Sequence, residues 1–430
     1  MPYFAPNESI NFDAPWNSPY RVDRAHPFQL VNRQDQHLFI LNRTAWAYFG
    51  CRDPRAVLER ARQTGCNVLR VALEGAPYID TLGIDLWPWG GSRQSPDWAT
   101  FNEPYWQQVE ERMRLAGEYG IGLDLVLYMA LHPGEREIEQ QRPYWERAIH
   151  RLGRFANLLA WEIANEYTAN ETFQDAAGRF FWSNDPLGHP VCSSDGTTDD
   201  ALWPDKEWMD LAINHTCTSS TPRHDLRDWY LALARNTRSH GKPAFCNESG
   251  REVRHKNDDP VHRRKQAWLW CSAGGFWTFH SWDGCEGIDS FMEQDYHAPG
   301  EEYLHSMASF FRRQPFWQMA PNETSFSVHH PHLTHAALAT PSRSHILAYL
   351  ATLLSGARLA DCGAWLRLPD GAYQVNLYHP AGLNLLAELK VQSPGLRQRI
   401  PLPLPEFSDD LLVEIRRIED AEKSIIPGTE

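Results

Sequence analysis

Two apolar runs of this chain close on the same pair of residues. The run LLAWEIANE, from Leu158, ends in Asn165-Glu166, and the run KPAFCNE, from Lys242, ends in Asn247-Glu248. Two carboxylates brought to one cavity can divide the work of cleaving a glycosidic bond. One protonates the departing oxygen, and the other attacks the anomeric carbon or activates a water. A Glu that follows a strand is also an ordinary helix-start carboxylate, drawn to the positive helix end. Neither residue therefore carries the reading alone; their joint placement does. Arg70, in the run CNVLRVALEG from Cys66, is expected to approach Glu248 and keep it ionised. Glu166 is expected to hold the proton at rest, through burial and the neighbouring Glu248 charge.

Such a pair needs a scaffold that delivers strand ends to one mouth. From residue 38 to about 283 the chain alternates short apolar runs with amphipathic stretches. LFILNRTAW, CNVLRVALEG, IGLDLVLYM, LLAWEIANE, HPVCSSD, MDLAINHTC, KPAFCNESG and GGFWTFHSWD follow one another in order. Runs of this length, rich in Val, Ile and Leu, suit strands buried on both faces. Helical patterns lie between them. PRAVLERARQTG, from Pro54, opens on a first-turn proline and stops on Gly65. PYWQQVEERMRLAGEYG and PYWERAIHRLGRF follow similar logic, and DLRDWYLALARNTRSHG precedes the seventh run. Eight strands alternating with helices predict an α/β fold, the (β/α)8 TIM barrel, whose function gathers at the C-terminal strand ends. Beyond about residue 320, HILAYLATL, GAWLRLP, GAYQVNLYHP, LNLLAELKV, RQRIPLPLP and DDLLVEIRRI alternate and are separated by turn residues. They predict a C-terminal antiparallel β-sandwich. The expected division is an N-terminal arm over 1–37, a barrel over 38–325 and a sandwich over 326–430. SFSVHHPHLTH, from Ser325, reads as a linker, and its histidines match no zinc-ligand spacing.

The motifs resemble those of known enzymes. Trp161-Glu162-Ile163-Ala164-Asn165-Glu166 looks like the fourth-strand signature of the cellulase-like family five glycoside hydrolases of clan A. Lys242-Pro243-Ala244-Phe245-Cys246-Asn247-Glu248-Ser249-Gly250 resembles their seventh-strand nucleophile segment. Arg70 within Asn67-Val68-Leu69-Arg70-Val71 matches their second-strand arginine, and Gly275-Phe276-Trp277-Thr278-Phe279 is similar to their aromatic eighth strand. His37-Leu38-Phe39-Ile40-Leu41-Asn42-Arg43-Thr44-Ala45-Trp46 is similar to the first strand of the apiosidase-like (DUF4038-type) proteins, which also carry a C-terminal sandwich. The resemblance covers about two-thirds of the chain. It implies a retaining mechanism without metal, with Glu166 as acid/base and Glu248 as nucleophile. Tyr167, Ser249 and His215 stand where the family-five enzymes usually have Pro, an aromatic residue and Tyr.

The remaining mouth residues are candidates for holding a sugar. Asn165 is placed to hydrogen-bond a 2-hydroxyl. His215 ends the sixth run and is placed to orient Glu248 or bind a hydroxyl. Trp277 or Trp282 is the expected stacking platform, and Glu74, Asp195, Asp283 and His132 are weaker strand-end candidates. The 18 Trp residues suit stacking on sugar faces as well as core packing. A net charge of −14 without a basic cluster argues against a nucleic-acid partner. No cofactor motif is present. The eight scattered cysteines suggest reduced thiols, with Cys66, Cys246 and Cys271 packing as small hydrophobes. The first residues lack a signal peptide and nothing reaches membrane-spanning length, which suggests a cytoplasmic protein. The expected activity is that of a retaining glycosidase acting on a carbohydrate or glycoside. Its alternatives are a transglycosylase and a non-catalytic carbohydrate-binding barrel.

Overall fold

The computed structural model describes residues 16–75, 85–196, 200–216, 226–249, 259–280, 300–353 and 355–418. Its centre is a sheet of eight strands: β1 Leu41–Thr44, β2 Val68–Ala72, β3 Gly122–Tyr128, β4 Leu158–Ala164, β5 Val191–Cys192, β6 Ala212–His215, β7 Ala244–Glu248 and β8 Phe276–Phe279. They pair in parallel in the order β6-β7-β8-β1-β2-β3-β4-β5. Every position of β3 and β4 is buried, as a filled barrel interior and an outer helix layer require.

The two end strands meet at Asp210, just ahead of β6. Its N–H donates to the Val191 carbonyl at 2.8 Å, and its carboxylate accepts the Val191 N–H at 2.9 Å. Burial raises this carboxyl to about 6, against the smaller lowering by the Val191 N–H and Lys242. A raised folded value means that the folded chain binds more protons than the unfolded chain between pH about 4 and about 6. Stability contributed by the seam is therefore lost as pH rises through that window. Asp210→Asn keeps an acceptor for Val191 and removes the titration. Its unfolding free energy should fall less between those pH values, by a difference of at most about 3 kcal/mol. An unchanged slope of stability against pH would show that Asp210 does not titrate there.

Helices α1 Pro54–Gln63, α2 Glu103–Glu118, α3 Ile138–Leu152, α4 Glu171–Asn184, α5 Leu226–Ser239, α6 Pro260–Ser272 and α7 Leu304–Arg312 alternate with the strands. Local chemistry sets several starts. Asp53, Asn102 and Asp259 accept N–H bonds from Ala56, Tyr105 and Val261, each with a proline in the first turn behind it. Pro143, at the head of the helical stretch PYWERAIHRLGRF, lies inside α3, which starts five residues earlier at Ile138. Between β2 and α2 the chain adds an antiparallel ribbon, Trp89–Ser92 with Ser95–Phe101, which the sequence pattern does not announce. Among the described residues no helix is long and apolar enough to cross a membrane.

The C-terminal part is an antiparallel sandwich. Six strands order as Ala320–Pro321, Leu333–Ala339, His345–Thr352, Asp410–Arg417, Gly371–His379 and Asn384–Ser393. A three-stranded sheet of Phe326–Val328, Gly363–Leu366 and Ile400–Pro403 faces them. The segment read as a linker is thus strand for much of its length, because Phe326, Val328 and Leu333 alternate into the sandwich core. The sandwich grips the barrel through α6, whose residues from Arg263 to Ser272 are all buried. Arg264 donates twice to Asp410, at 2.8 and 2.7 Å, and Tyr349 donates to the same carboxylate at 2.6 Å. Lys265 reaches Thr352 at 3.0 Å and Asp409 at 3.3 Å, and Trp268 stacks on Tyr349. Charges buried this way hold only while both halves stay together, since an orphaned partner costs about 3–5 kcal/mol.

Candidate active site

Arg70, on β2, is fully buried and organises the barrel mouth. Its Nη1 donates to Glu248 Oε2 at 2.8 Å. Its Nε and Nη2 form a fork on Glu162, at 2.8 and 2.5 Å. Nη2 also reaches Asn165 Oδ1 at 2.8 Å and Ser194 Oγ at 3.3 Å. The guanidinium lies over the Trp46 ring, 4.5 Å from its centroid. Burial alone would disfavour the positive charge, but Glu162, Glu248 and Asp124 together hold Arg70 firmly protonated. Asp124 is driven upward by burial and by Glu162, more than Arg70 can offset.

Glu248 ends β7 and is completely buried, whereas the Glu166 side chain is 30% exposed. The expectation that burial sets Glu166 apart is therefore corrected. The reason is local: Glu166 follows β4 in a left-handed turn, φ 49°, which lifts its carboxylate into the mouth. Ser194, beyond β5, fixes that turn by accepting the Glu166 N–H at 3.1 Å while donating to the Ala164 carbonyl at 3.3 Å. Gly196 completes it, because a Cβ there would lie 3.3 Å from Glu166 Cβ and Cδ.

His215 approaches Glu166 rather than Glu248. Its Nδ1 lies 3.0 Å from Glu166 Oε1 and its Nε2 lies 2.9 Å from Asn247 Oδ1. Asn247 Nδ2 donates to Glu162 at 2.9 Å. An amide oxygen turned to that carboxylate would repel it, so the amide orientation is set and its Oδ1 must accept from His215. Nε2 then carries a hydrogen, and Nδ1 faces Glu166. The 3.0 Å contact sets that ring nitrogen directly against the Glu166 carboxyl. One carboxylate oxygen of Glu166 and one of Glu248 lie within 4.8 Å of each other and of a His215 nitrogen. This donor trio could contact a cation, but the Arg70 guanidinium already occupies one side of Glu248.

The structure gathers Arg70, Asn165, Glu166, His215 and Glu248, and sorts the other candidates differently. Glu74 is not turned to the mouth. Its Oε2 accepts the N–H groups of Met129, Ala130 and Leu131 at 2.8–3.1 Å, and Arg93 takes Oε1 at 2.6 Å. It staples the loop after β3, and burial pushes its carboxyl upward. Trp277 is also corrected. It is 1% exposed and lines a small space with Trp268 and Met307 of the helix layer. Alternation along β8 sends Thr278 and His280 to the opposite side. His132 is exposed and rests on the Tyr167 ring, centroids 4.1 Å apart, next to Glu166 in the chain. Asp195 is half-buried beside Ser194. Trp282 and Asp283 lie outside the described residues. Sequence reasoning did not single out Glu162, Ser194, Asn247 or His280. His280 Nε2 stands 3.6 Å from Glu248 Oε1, with its Nδ1 3.0 Å from Thr44 Oγ1. A charged residue inside the buried run of β4 was the available signal for Glu162, because such a charge requires a partner.

Comparison with known proteins agrees with this fold. The profile of the apiosidase-like catalytic domain matches residues 27–320. A search of curated proteins finds no match. Among solved structures, a glycoside hydrolase family 5 protein from Bacteroides vulgatus ATCC 8482 superposes with TM-score 0.71 at 15% identity, over 96% of both chains. Another, described as a glycoside hydrolase, gives TM-score 0.68 at 14% identity over 94% of this chain and 98% of its own. An exo-β-1,4-mannosidase from Opitutaceae bacterium strain TAV5 gives 0.51 at 12% identity over 67% of this chain and 62% of its own. With the family profile covering most of the barrel, the chain belongs to the apiosidase-like family of catalytic domains.

Proposed function

We propose that the protein is a retaining glycoside hydrolase in which Glu248 is the nucleophile and Glu166 the acid/base. The observation that carries this reading is the approach of the two carboxylates, with facing oxygens within 4.8 Å. Inverting enzymes need about 6.5–9.5 Å to admit a water between the groups, and retaining enzymes need about 5–5.5 Å. Arg70 holds Glu248 as the carboxylate, ready to attack the anomeric carbon. As that bond forms, the glycosidic C–O bond breaks and the Glu166 proton passes to the leaving oxygen. Glu166, now a carboxylate, takes a proton from water while the water oxygen attacks the same carbon and expels Glu248. In that step a neutral His215 would set its Nδ1 lone pair against the Glu166 carboxylate, which favours recapture of a proton. Asn165 spends its Oδ1 on Arg70, leaving its Nδ2 to donate to the sugar 2-hydroxyl.

The family description and the mannosidase neighbour suggest aryl β-apiosides and β-mannosides as first substrates, within a wider panel of aryl glycosides. Proton NMR of the sugar at first appearance should show the anomeric configuration of the substrate. An inverted first product would exclude the double displacement. Binding of sugars without release from any aryl glycoside would favour a non-catalytic barrel.

A further inference from the structure

A second cluster of donor atoms lies away from the mouth. Asp23, His26 and His37 belong to the chain leading into β1, so they sit at the base of the barrel, opposite the catalytic strand ends. His26 Nδ1 is 2.7 Å and His37 Nε2 is 2.8 Å from the same oxygen of Asp23, Oδ2. All three donor atoms fall within 4.8 Å of one another. The two imidazole planes stand at 87°, so their nitrogens converge from different directions. Each part is held from behind. The His37 ring lies flat on Trp317, 5.1 Å between centroids. Asp23 Oδ1 accepts the Ala25 N–H at 2.8 Å. The turn that carries Asp23 and His26 is closed by Asp23 N–H to Gln29 O at 2.9 Å and Gln29 N–H to His26 O at 2.8 Å.

We propose that Asp23, His26 and His37 bind a divalent transition-metal ion, with Zn2+ as the best-suited ion, and that the ion cross-links the N-terminal arm upon itself beside the base of the barrel. Two imidazole nitrogens and one carboxylate oxygen are a borderline-soft donor set that suits zinc and leaves a fourth position for water. Zinc bonds of about 2.0–2.2 Å place tetrahedral ligands about 3.3 Å apart. The observed spacings are those of hydrogen bonds, so each ring needs to withdraw by only about half an ångström to admit the ion. The ion then replaces the two imidazole hydrogens directed at Oδ2. Ala25 keeps the second carboxylate oxygen oriented, as outer partners commonly do at metal sites. The histidine-rich stretch from His329 does not offer this convergence among the described residues, where the grouped donors are this trio and the catalytic one.

The test uses the full chain, stripped with chelator and exchanged into ZnCl2. One equivalent of zinc should remain after gel filtration, and the unfolding temperature should rise by at least about 2 °C. Co2+ in its place should give the visible absorption of a four-coordinate site. His26→Ala, and His37→Phe with its ring kept on Trp317, should each lose the equivalent and the shift while retaining turnover of the best aryl glycoside. Zinc that stays bound in both variants but is lost from Glu166→Gln would place the ion at the catalytic mouth and overturn the proposal. Failure of the parent chain to retain zinc or cobalt would overturn it as well.

Discussion

Glu248→Ala is expected to lower turnover by on the order of 10⁴-fold or more, because no other group can form the glycosyl-enzyme ester. The protein should still fold. Arg70 loses one partner but keeps its fork on Glu162, so no buried charge is orphaned. The cavity left beside Arg70 has the size of a small anion. Azide added to this variant should attack the anomeric carbon from the vacated face and give a glycosyl azide of inverted configuration. Chromatography and proton NMR of that product decide the assignment. A retained azide product would mean that the attacking carboxylate is Glu166. Wild-type rates would mean that the mouth described here is not where cleavage happens.

Glu166→Ala should behave in the opposite way. The loss should reach about 10²–10⁴-fold for glycosides with poor leaving groups, which need the proton most. Nitrophenolates depart with little help, so they should still load Glu248, and the ester should then accumulate. Azide would resolve it with retained configuration. A plot of log kcat/KM against leaving-group pKa should steepen sharply relative to the parent enzyme. If the slope stayed shallow, the proton would come from elsewhere, with His215, 3.0 Å away, as the first residue to replace. His215 does not substitute in the intact site, since its Nε2 hydrogen is committed to Asn247.

The sequence disclosed the parts of this arrangement that follow from periodicity and strand ends. Buried runs alternating with capped helices require a closed parallel sheet, and a parallel sheet presents its chemistry at one rim, so Glu166, Glu248 and Arg70 could be located together. What periodicity cannot show is which way a side chain faces when both faces of a strand are buried. Trp277 within β8 and His280 just beyond it differ in parity, and the apolar residue drew attention while the polar one stands beside Glu248. Glu74 illustrates a different blindness. Its position at a strand end looked catalytic, yet the three amides that consume its carboxylate come from residues 129–131, whose backbone direction is a tertiary result. Ser194 was invisible for the same reason, because it receives one N–H from the turn that follows the neighbouring strand β4. The sandwich strands were legible from their alternation, but the linker reading of Ser325 onward missed two short strands, Phe326–Val328 and Leu333–Ala339, because His329, His330 and His332 crowd the turn between them.

The left-handed backbone at Glu166 has a consequence for how descendants of this chain would drift. A carboxylate residue there carries a conformational cost of about 1 kcal/mol that glycine would not bear. Random substitution screened only for stability would therefore favour glycine at the position proposed to supply the acid. A relative with glycine or asparagine at position 166 would have recovered that stability at the expense of bond cleavage. The turn thus doubles as a marker of ancestry, separating barrels still selected for hydrolysis from those kept for their shape.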